Sequence, residues 1–216
     1  MMGEFFLIKR KINYLVKSTL KAKSDKILDL GCGNDPYYHD AVQCNIVCLD
    51  IIPTLKTHLV SDAGKLPFRP NSFDKVISVN SLYYFDDPVN AVKSVHGTLK
   101  KNGKFILVLP FFYPIHDVPD DKYRFTEHGL RTILGSYFKI ESLEPIGGIF
   151  NLPAVLLHSV IKGIPLLVPK PIKGFVQTLM YVLWPFYMAA QLLGVLDILD
   201  RTKRYPTYYF VVAGKK

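Results

Sequence analysis

The residues best suited to chemistry begin with a glycine turn and a carboxylate that follows it at a fixed distance. Apolar residues lead into Gly31 and Gly33, which allow backbone conformations and a close ligand approach that a Cβ would block. Asp50 ends the next apolar segment, about twenty residues on, where a carboxylate can accept both hydroxyls of a ribose. This spacing predicts a nucleotide-like ligand at the carboxyl end of a first, buried strand.

A second group of reactive side chains lies in residues 110–126, a segment rich in aromatic and ionisable residues. His116 is the best candidate for a general base, because an imidazole titrates near neutrality. Asp117 can orient it, and Arg124 can hold an anionic group on an acceptor. The alternative is a purely structural loop whose charged side chains pair with one another, with Arg124 bound to Asp120 or Asp121.

An ordered series of segments resembles the class I S-adenosylmethionine-dependent methyltransferases, in particular the type 11-like group. The resemblance covers residues 26–144 and is carried by Asp29-Leu30-Gly31-Cys32-Gly33, Asp50, Asp62-Ala63 with Leu66-Pro67-Phe68, and Phe73-Asp74 with Val76-Ile77. It departs from the family at Asp35, where a third glycine is common, and Pro36 then stiffens the loop.

The resemblance implies S-adenosylmethionine as the cofactor and no metal. It implies that Gly31 and Gly33 approach the methionine part, that Asp50 holds the ribose, and that Asp62 with Ala63 reads the adenine edge. The remaining cofactor-binding positions that it implies are Asp29, Cys32, Ile51 and Asn80. Similar methyltransferases carry a segment comparable to residues 110–126 as a wall of the substrate pocket.

The elements that must position these residues alternate between strand and helix. Strands are predicted near 26–30, 46–50, 57–61, 74–79, 103–109, 137–142 and 205–214. A helix is predicted over 88–100, ended by Asn102-Gly103, and another from an N-cap at Thr126 through Leu134. The pattern predicts a doubly wound, mostly parallel seven-stranded α/β sheet (Rossmann-like). The family resemblance implies that the last strand runs antiparallel beside the sixth.

The predicted domain organisation has three parts: an N-terminal amphipathic helix in 1–25, a cofactor-binding domain in 26–149 and 205–214, and an apolar helical insertion in 150–204. The N-terminal helix places Phe5, Ile8, Ile12, Leu15, Val16, Thr19 and Leu20 on one stripe, with lysines and Arg10 mostly off it. Two interpretations of this helix stay open: it packs against the sheet with a solvated basic face, or it lies on an anionic membrane.

The insertion contains an uncharged run, residues 174–196, that is long enough to span a bilayer. A single crossing is disfavoured, because the last strand must return to the same sheet as residues 26–110. Basic residues at the borders, among them Lys170, Lys173 and Arg201, would suit an interfacial position. A dry helical lid and a cap that dips into a membrane interface both remain open.

Charge and cysteines limit the class of protein. The net charge of +9 comes from the flanks, since residues 1–26 carry +5, residues 27–150 carry −2 and residues 151–216 carry +6. This distribution predicts an anionic surface as partner, with nucleic acid disfavoured by the uncharged insertion. Cys32, Cys44 and Cys48 have no zinc or disulfide spacing and predict small buried residues. Without a signal-peptide pattern, we expect a cytoplasmic protein, peripheral on the inner face of a membrane.

The predicted function is transfer of a methyl group from S-adenosylmethionine to a small or amphiphilic acceptor, such as a lipid, polyprenyl or glycolipid intermediate. Two alternatives stay open. A nicotinamide-dependent oxidoreductase is disfavoured because the third glycine of its motif would fall at Pro36. The other is a non-catalytic interaction module that retains the fold.

Overall fold

A seven-stranded sheet forms the centre of the computed structural model, which describes residues 5–20, 24–34, 38–39 and 45–216. The strands are β1 (Lys26–Leu30), β2 (Asn45–Asp50), β3 (Leu59–Val60), β4 (Phe73–Val79), β5 (Leu99–Pro110), β6 (Phe138–Ile146) and β7 (Tyr208–Lys215). Their order is β3-β2-β1-β4-β5-β7-β6, with β1 to β5 parallel and β7 antiparallel to β5. This is the predicted Rossmann-like architecture.

The register of the central strands brings the candidate site together. β1 lies between β2 and β4, with Asp29 opposite Cys48 on one side and Ile77 on the other. Leu28, Leu30 and Ile77 are almost fully buried, as expected for a strand covered on both faces. The strands β2 and β4 thus lie on opposite sides of β1, and the loops after β1, β2 and β4 open at one crevice.

The helix after β4 is shorter than predicted. Helix α2 (Pro88–Thr98) starts with an Asp87 cap whose side chain accepts from the Asn90 amide, and it ends two residues before Lys100. Leu99 instead begins β5, because it is fully buried and pairs with Phe73. The prediction that Asn102-Gly103 ends this helix was wrong. The pair lies inside β5, at the irregularity where the register between β4 and β5 shifts.

Two other boundaries show how local chemistry and pairing set element lengths. Helix α3 (Glu127–Gly135) is capped by Thr126, whose hydroxyl accepts from the Gly129 amide at 3.0 Å, which confirms the predicted cap. β3 has only two residues, Leu59 and Val60, because it lies at the sheet edge and pairs with β2 alone.

The chain divides into two compact units. The sheet unit comprises residues Ile12–Phe111, Ile115–Glu144 and Tyr208–Lys216, and the helical unit comprises Met1–Lys11, Phe112–Pro114 and Pro145–Thr207. Helix α1 (Phe6–Thr19) buries Ile8, Ile12 and Val16 of its predicted stripe and exposes Lys9 and Arg10. Its apolar face is thus covered by protein, as the first interpretation of this helix expected. Lys21 and Lys23 lie outside the described residues.

The helical unit contains the predicted insertion between β6 and β7. Its helices are α4 (Leu152–Gly163), α5 (Lys170–Met180) and α6 (Trp184–Leu193), joined by short 3₁₀ turns. The stretches Ile149–Leu166 and Lys170–Ile198 are both long and apolar enough to cross a membrane by length and composition alone.

Candidate cofactor and acceptor site

The glycine turn after β1 has the backbone that its sequence predicts. Gly31 and Gly33 have φ values of +74° and +63°, a region that favours glycine. A Cβ on Gly31 would lie 2.3 Å from the Ser81 Cβ, so a side chain has no room there. The buried Ser81 hydroxyl also donates to the Leu30 carbonyl at 2.7 Å, so the loop after β4 holds the turn in place. Sequence reasoning missed Ser81, because only the fold brings it beside the turn.

Asp50 ends β2 with its carboxylate oriented by two backbone amides. Its Oδ2 accepts from the Gly33 amide at 2.9 Å and its Oδ1 from the Ile52 amide at 3.0 Å. Each carboxylate oxygen can accept a further hydrogen bond, so both can bind a pair of adjacent hydroxyls. The neighbouring Ile51 is 67% exposed and provides an apolar surface beside the carboxylate.

The third predicted segment forms a rigid short turn. Asp62 caps the 3₁₀ turn Ala63–Lys65, where its Oδ1 accepts from the Gly64 amide at 2.7 Å. The Gly64 carbonyl in turn accepts hydrogen bonds from the Asn90 and Ser94 side chains of α2. Ala63 is buried and Asp62 is exposed, so the turn presents a carboxylate on a fixed backbone.

Asn80 has an unsatisfied acceptor at the end of β4. Its φ is +55°, and its Oδ1 is buried without a hydrogen-bond partner in the described part of the chain. Since buried polar atoms are normally paired, this oxygen fits a donor on a bound ligand. The residues after β1, β2 and β4 therefore suit a polar, hydroxyl-bearing cofactor of the kind that the family resemblance implies.

Asp29 lies fully buried beneath the turn. Tyr38 donates to both of its oxygens at 2.8 and 2.9 Å, and the His39 Nε2 lies 2.6 Å from Oδ2. Burial raises the pKa of Asp29, even though His39 and Tyr38 act in the opposite direction. Asp29, His39 and Cys48 place ligand atoms within 4.8 Å of one another. These atoms are engaged by hydrogen bonds, and the cluster supports no argument for a metal.

Two of the three cysteines are buried as predicted. Cys32 and Cys48 are free thiols, and the hydrogen bond that the Cys48 thiol donates to Cys32, together with burial, raises the pKa of Cys48. Cys44 lies outside the described residues. So do Asp35 and Pro36, the positions where the sequence departs from the family pattern.

His116 lies in a hydrogen-bonded cluster made by the loops after β4 and β5. Its Nδ1 is 3.2 Å from Asp121 Oδ2, and that same oxygen accepts the His116 amide at 3.1 Å. Its Nε2 faces the hydroxyls of Tyr83 at 3.2 Å and Tyr84 at 3.1 Å. An acceptor at Nδ1 fixes the tautomer that leaves a lone pair on Nε2.

The residue that orients His116 is therefore Asp121, and the role expected of Asp117 is corrected. Asp117 Oδ2 is 3.9 Å from the His116 Nε2 and accepts from the Tyr84 hydroxyl at 2.7 Å. Asp117 also has a φ of +52° and an exposed side chain, whereas the Asp121 side chain is 1% exposed. Sequence proximity favoured Asp117, but the loop turns so that the more distant carboxylate faces the ring.

Arg124 forms a two-pronged ion pair with Asp121. Its Nη1 donates to the Asp121 Oδ1, and its Nη2 donates to the Asp121 Oδ2 at 2.6 Å. The guanidinium also lies over the Tyr83 ring, 5.5 Å from the ring centre. Burial alone would raise the pKa of Asp121, but the Arg124 hydrogen bonds hold it below its ordinary value. This is the pairing with Asp121 that the sequence left open. The guanidinium thus fixes the carboxylate that holds His116.

The hydroxyls of Tyr83 and Tyr84 next to His116 are uncharged and partly buried. Burial raises the pKa of Tyr83 and of Tyr84, so both hydroxyls stay protonated near neutral pH. Residues 80–84 form one short stretch in which Ser81 borders the glycine turn and Tyr83 and Tyr84 contact His116. The cofactor residues and the His116 cluster are therefore neighbours in the same crevice.

Comparison with known proteins finds a family match for the cofactor side of this crevice. The model of the methyltransferase domain family matches residues 28–107, which contain the glycine turn, Asp50, Asp62 and Asn80. An uncharacterized protein of Methanocaldococcus jannaschii is 30% identical over 110 residues, which are 48% of each chain. The chain therefore spans about half the length of that relative. The predicted resemblance to class I S-adenosylmethionine-dependent methyltransferases is confirmed for the matched segment.

Solved structures extend the likeness to the whole fold. The [4+2]-cyclase SpnF superposes with a TM-score of 0.62 at 16% identity, covering 95% of this chain and 80% of the other. Phosphoethanolamine N-methyltransferase 2 of Haemonchus contortus, in complex with S-adenosyl-L-methionine, has a TM-score of 0.59 at 16% identity, covering 95% and 52%. At these identities the likeness establishes the fold alone.

Proposed function

We propose that this chain, whose residues 28–107 belong to the methyltransferase domain family, transfers a methyl group from S-adenosylmethionine to a hydroxyl of an amphiphilic acceptor. The observation that carries the proposal is the Asp50 carboxylate, anchored by the Gly33 amide of the glycine turn within the matched segment. A carboxylate fixed in this way suits a ribose diol.

The residues that would hold the cofactor are those of the β1, β2 and β4 loops. Asp50 would accept the ribose hydroxyls, the Ala63 turn would border the adenine, and the unpaired Asn80 Oδ1 would accept a donor from the amino-acid part. The exposed Ile51 would cover the base. When bound, S-adenosylmethionine supplies a methyl group that is already activated by a positively charged sulfur.

His116 would act as the base that receives the acceptor's proton. The His116 Nε2 would receive the proton that the acceptor oxygen gives up on methylation, and the cofactor would supply the methyl group and leave as a neutral thioether. Asp121 positions the ring from the other side and stabilises the imidazolium that forms. The neutral Tyr83 and Tyr84 hydroxyls next to Nε2 mark where an acceptor oxygen would be held.

The amphiphilic class of acceptor is supported by the insertion. Residues 174–196 carry no charge, and α5 has no buried residue, so the protein keeps a large apolar surface exposed. Such a surface is costly in water unless it contacts lipid or another protein. A lipid, polyprenyl or glycolipid intermediate is the kind of acceptor that an enzyme with this surface would meet.

The test is incubation of the full chain with lipid extracts and S-adenosylmethionine carrying an isotopically labelled methyl group, followed by mass spectrometry. The proposal predicts a labelled lipid product that is absent when His116 is replaced by alanine. Label in water-soluble molecules alone would refute the amphiphilic acceptor, and no label in any fraction would refute methyl transfer.

A further inference from the structure

The helical unit presents a continuous stripe of exposed apolar side chains. Along 170–198 these residues recur every three or four positions, with Ala189 filling the one longer step, and they are Ile172, Phe175, Leu179, Val182, Phe186, Leu193 and Leu196. Residues at this spacing share one helical face. The members are between 41% and 73% exposed, and the buried residues of 170–198 are Tyr187, Gln191 and Asp197 alone. We call this set the exposed stripe.

The exposed charges around the exposed stripe are all of one sign, because the two carboxylates that follow it, Asp197 and Asp200, are buried. No acidic residue occurs in 145–196, whereas lysines stand at 162, 170 and 173, and Arg201 and Arg204 follow the helices. Lys170 and Lys173 lie at the start of α5, where a positive side chain interacts unfavourably with the positive end of the helix dipole. Helix stability therefore does not explain the position of these two lysines, whereas contact with an anionic partner would explain it.

A second copy of the chain is a poor occupant. Helical seams between proteins are flanked by charges of both signs that pair across the interface. Two exposed stripes brought together would instead oppose lysine to lysine, and the nearest carboxylates, Asp197 and Asp200, are buried and cannot compensate. An anionic lipid surface complements both the apolar face and its basic border.

A transmembrane span is also disfavoured by contacts within the helical unit. The Tyr187 hydroxyl of α6 accepts from the Phe5 amide at 2.9 Å, and the Gln191 side chain accepts from the Phe6 amide at 2.8 Å. Both amides lie only a few residues before the exposed Lys9 and Arg10. A bilayer-spanning α6 would draw these groups into hydrocarbon, where unsatisfied or charged groups are expensive.

We propose that the exposed stripe lies in the plane of an anionic membrane surface. Its aromatic and aliphatic side chains enter the boundary between headgroups and acyl chains, and Lys170 and Lys173 contact headgroup phosphates. This inference does not rest on the proposed methyl transfer, since it follows from the helical unit alone. It is the peripheral membrane association that the charge of the flanks predicts.

The experiment is co-sedimentation of the full chain with vesicles of phosphatidylcholine alone and of phosphatidylcholine mixed with phosphatidylglycerol. We expect binding to the mixed vesicles that weakens as salt is added, because screening shortens the reach of the lysines. Phe175→Ser with Phe186→Ser should weaken binding about 10²-fold, since two large side chains no longer enter the interface. Leu55→Ser with Val89→Ser, which changes two exposed apolar residues elsewhere, is the matched control and should bind normally.

The charge is tested separately by Lys170→Gln with Lys173→Gln. This variant should lose about 10–30-fold in affinity for the mixed vesicles and nothing on phosphatidylcholine alone. Thermal melting checks folding, because the replaced side chains are exposed and their loss should leave the melting temperature unchanged. Any of three results would overturn the proposal: no binding at low salt, equal binding by the phenylalanine variant and the control, or a dimer in solution that only the phenylalanine variant dissociates. Protection of one flank from protease in sealed vesicles would establish a span and overturn it as well.

Discussion

Replacement of Asp121 by asparagine tests the arrangement around His116 most sharply. The Asp121 side chain is 1% exposed and accepts from the His116 amide, the His116 ring and both prongs of Arg124. Asparagine keeps the shape but removes the charge and one acceptor oxygen. Charge-assisted hydrogen bonds contribute about 1.5–3 kcal/mol each, and solvent at the partly exposed Arg124 reduces that figure. We expect a loss of about 2–3 kcal/mol in the free energy of unfolding at neutral pH.

The stability that Asp121 contributes should depend on pH, in a direction set by its lowered pKa. Because the pKa of Asp121 is held below its ordinary value in the folded protein, its contribution to stability is present above an unfolded pKa of about 3.9. It is lost as the pH falls through the lower folded pKa. Denaturant unfolding of wild type and variant should therefore show a stability difference at pH 7 that shrinks below about pH 4.

Turnover provides a second measurement for the same variant. Without Asp121 the imidazole loses its fixed tautomer, so kcat should fall by about 10²-fold or more while the affinity for S-adenosylmethionine stays unchanged. Asp120→Asn is the matched control, because its side chain is exposed, and it should cost about 0.5 kcal/mol or less. Equal stability of the Asp121 variant and this control, or a difference that does not change with pH, would refute the reasoning.

Four further substitutions test the site. Asp50→Ala should weaken S-adenosylmethionine binding by about 1.5–3 kcal/mol for each charged hydrogen bond lost, and calorimetry that finds unchanged affinity would sink the ribose assignment. Gly31→Ala should cost about 2–4 kcal/mol of stability, because its Cβ meets the Ser81 Cβ at 2.3 Å in a left-handed conformation, whereas Gly33→Ala, with open space, should cost only about 1–2 kcal/mol. His116→Ala should lower turnover roughly 10²–10⁴-fold with cofactor affinity nearly unchanged, and wild-type turnover would exclude the base.

Features that depend on neighbours in sequence could be predicted. The strand Lys26–Leu30 follows from an apolar run that ends at glycines, and the Thr126 cap follows from a hydroxyl placed before a helical pattern. The carboxylate of Asp50 follows from its distance to the glycine turn. In each case the local chemistry and the final structure require the same residue type.

Features that depend on tertiary contact could not be predicted. Ser81 is unremarkable in the sequence and matters only because β4 runs beside β1 and brings it against Gly31. Asp121 replaces Asp117 at the His116 ring because the intervening loop reverses direction, which side-chain types do not reveal. Leu99 begins a strand rather than ending a helix because it pairs with Phe73 in the core.

The measurement that tests the central claim most directly is titration calorimetry of the full chain with S-adenosylmethionine, with a nicotinamide dinucleotide titrated in parallel. The account predicts saturable binding of S-adenosylmethionine at one site, weaker binding by the Asp50→Ala variant, and no binding of the dinucleotide. A folded chain that binds the dinucleotide instead, or that gives no heat with S-adenosylmethionine, would contradict the assignment of this crevice as a methyl-donor site.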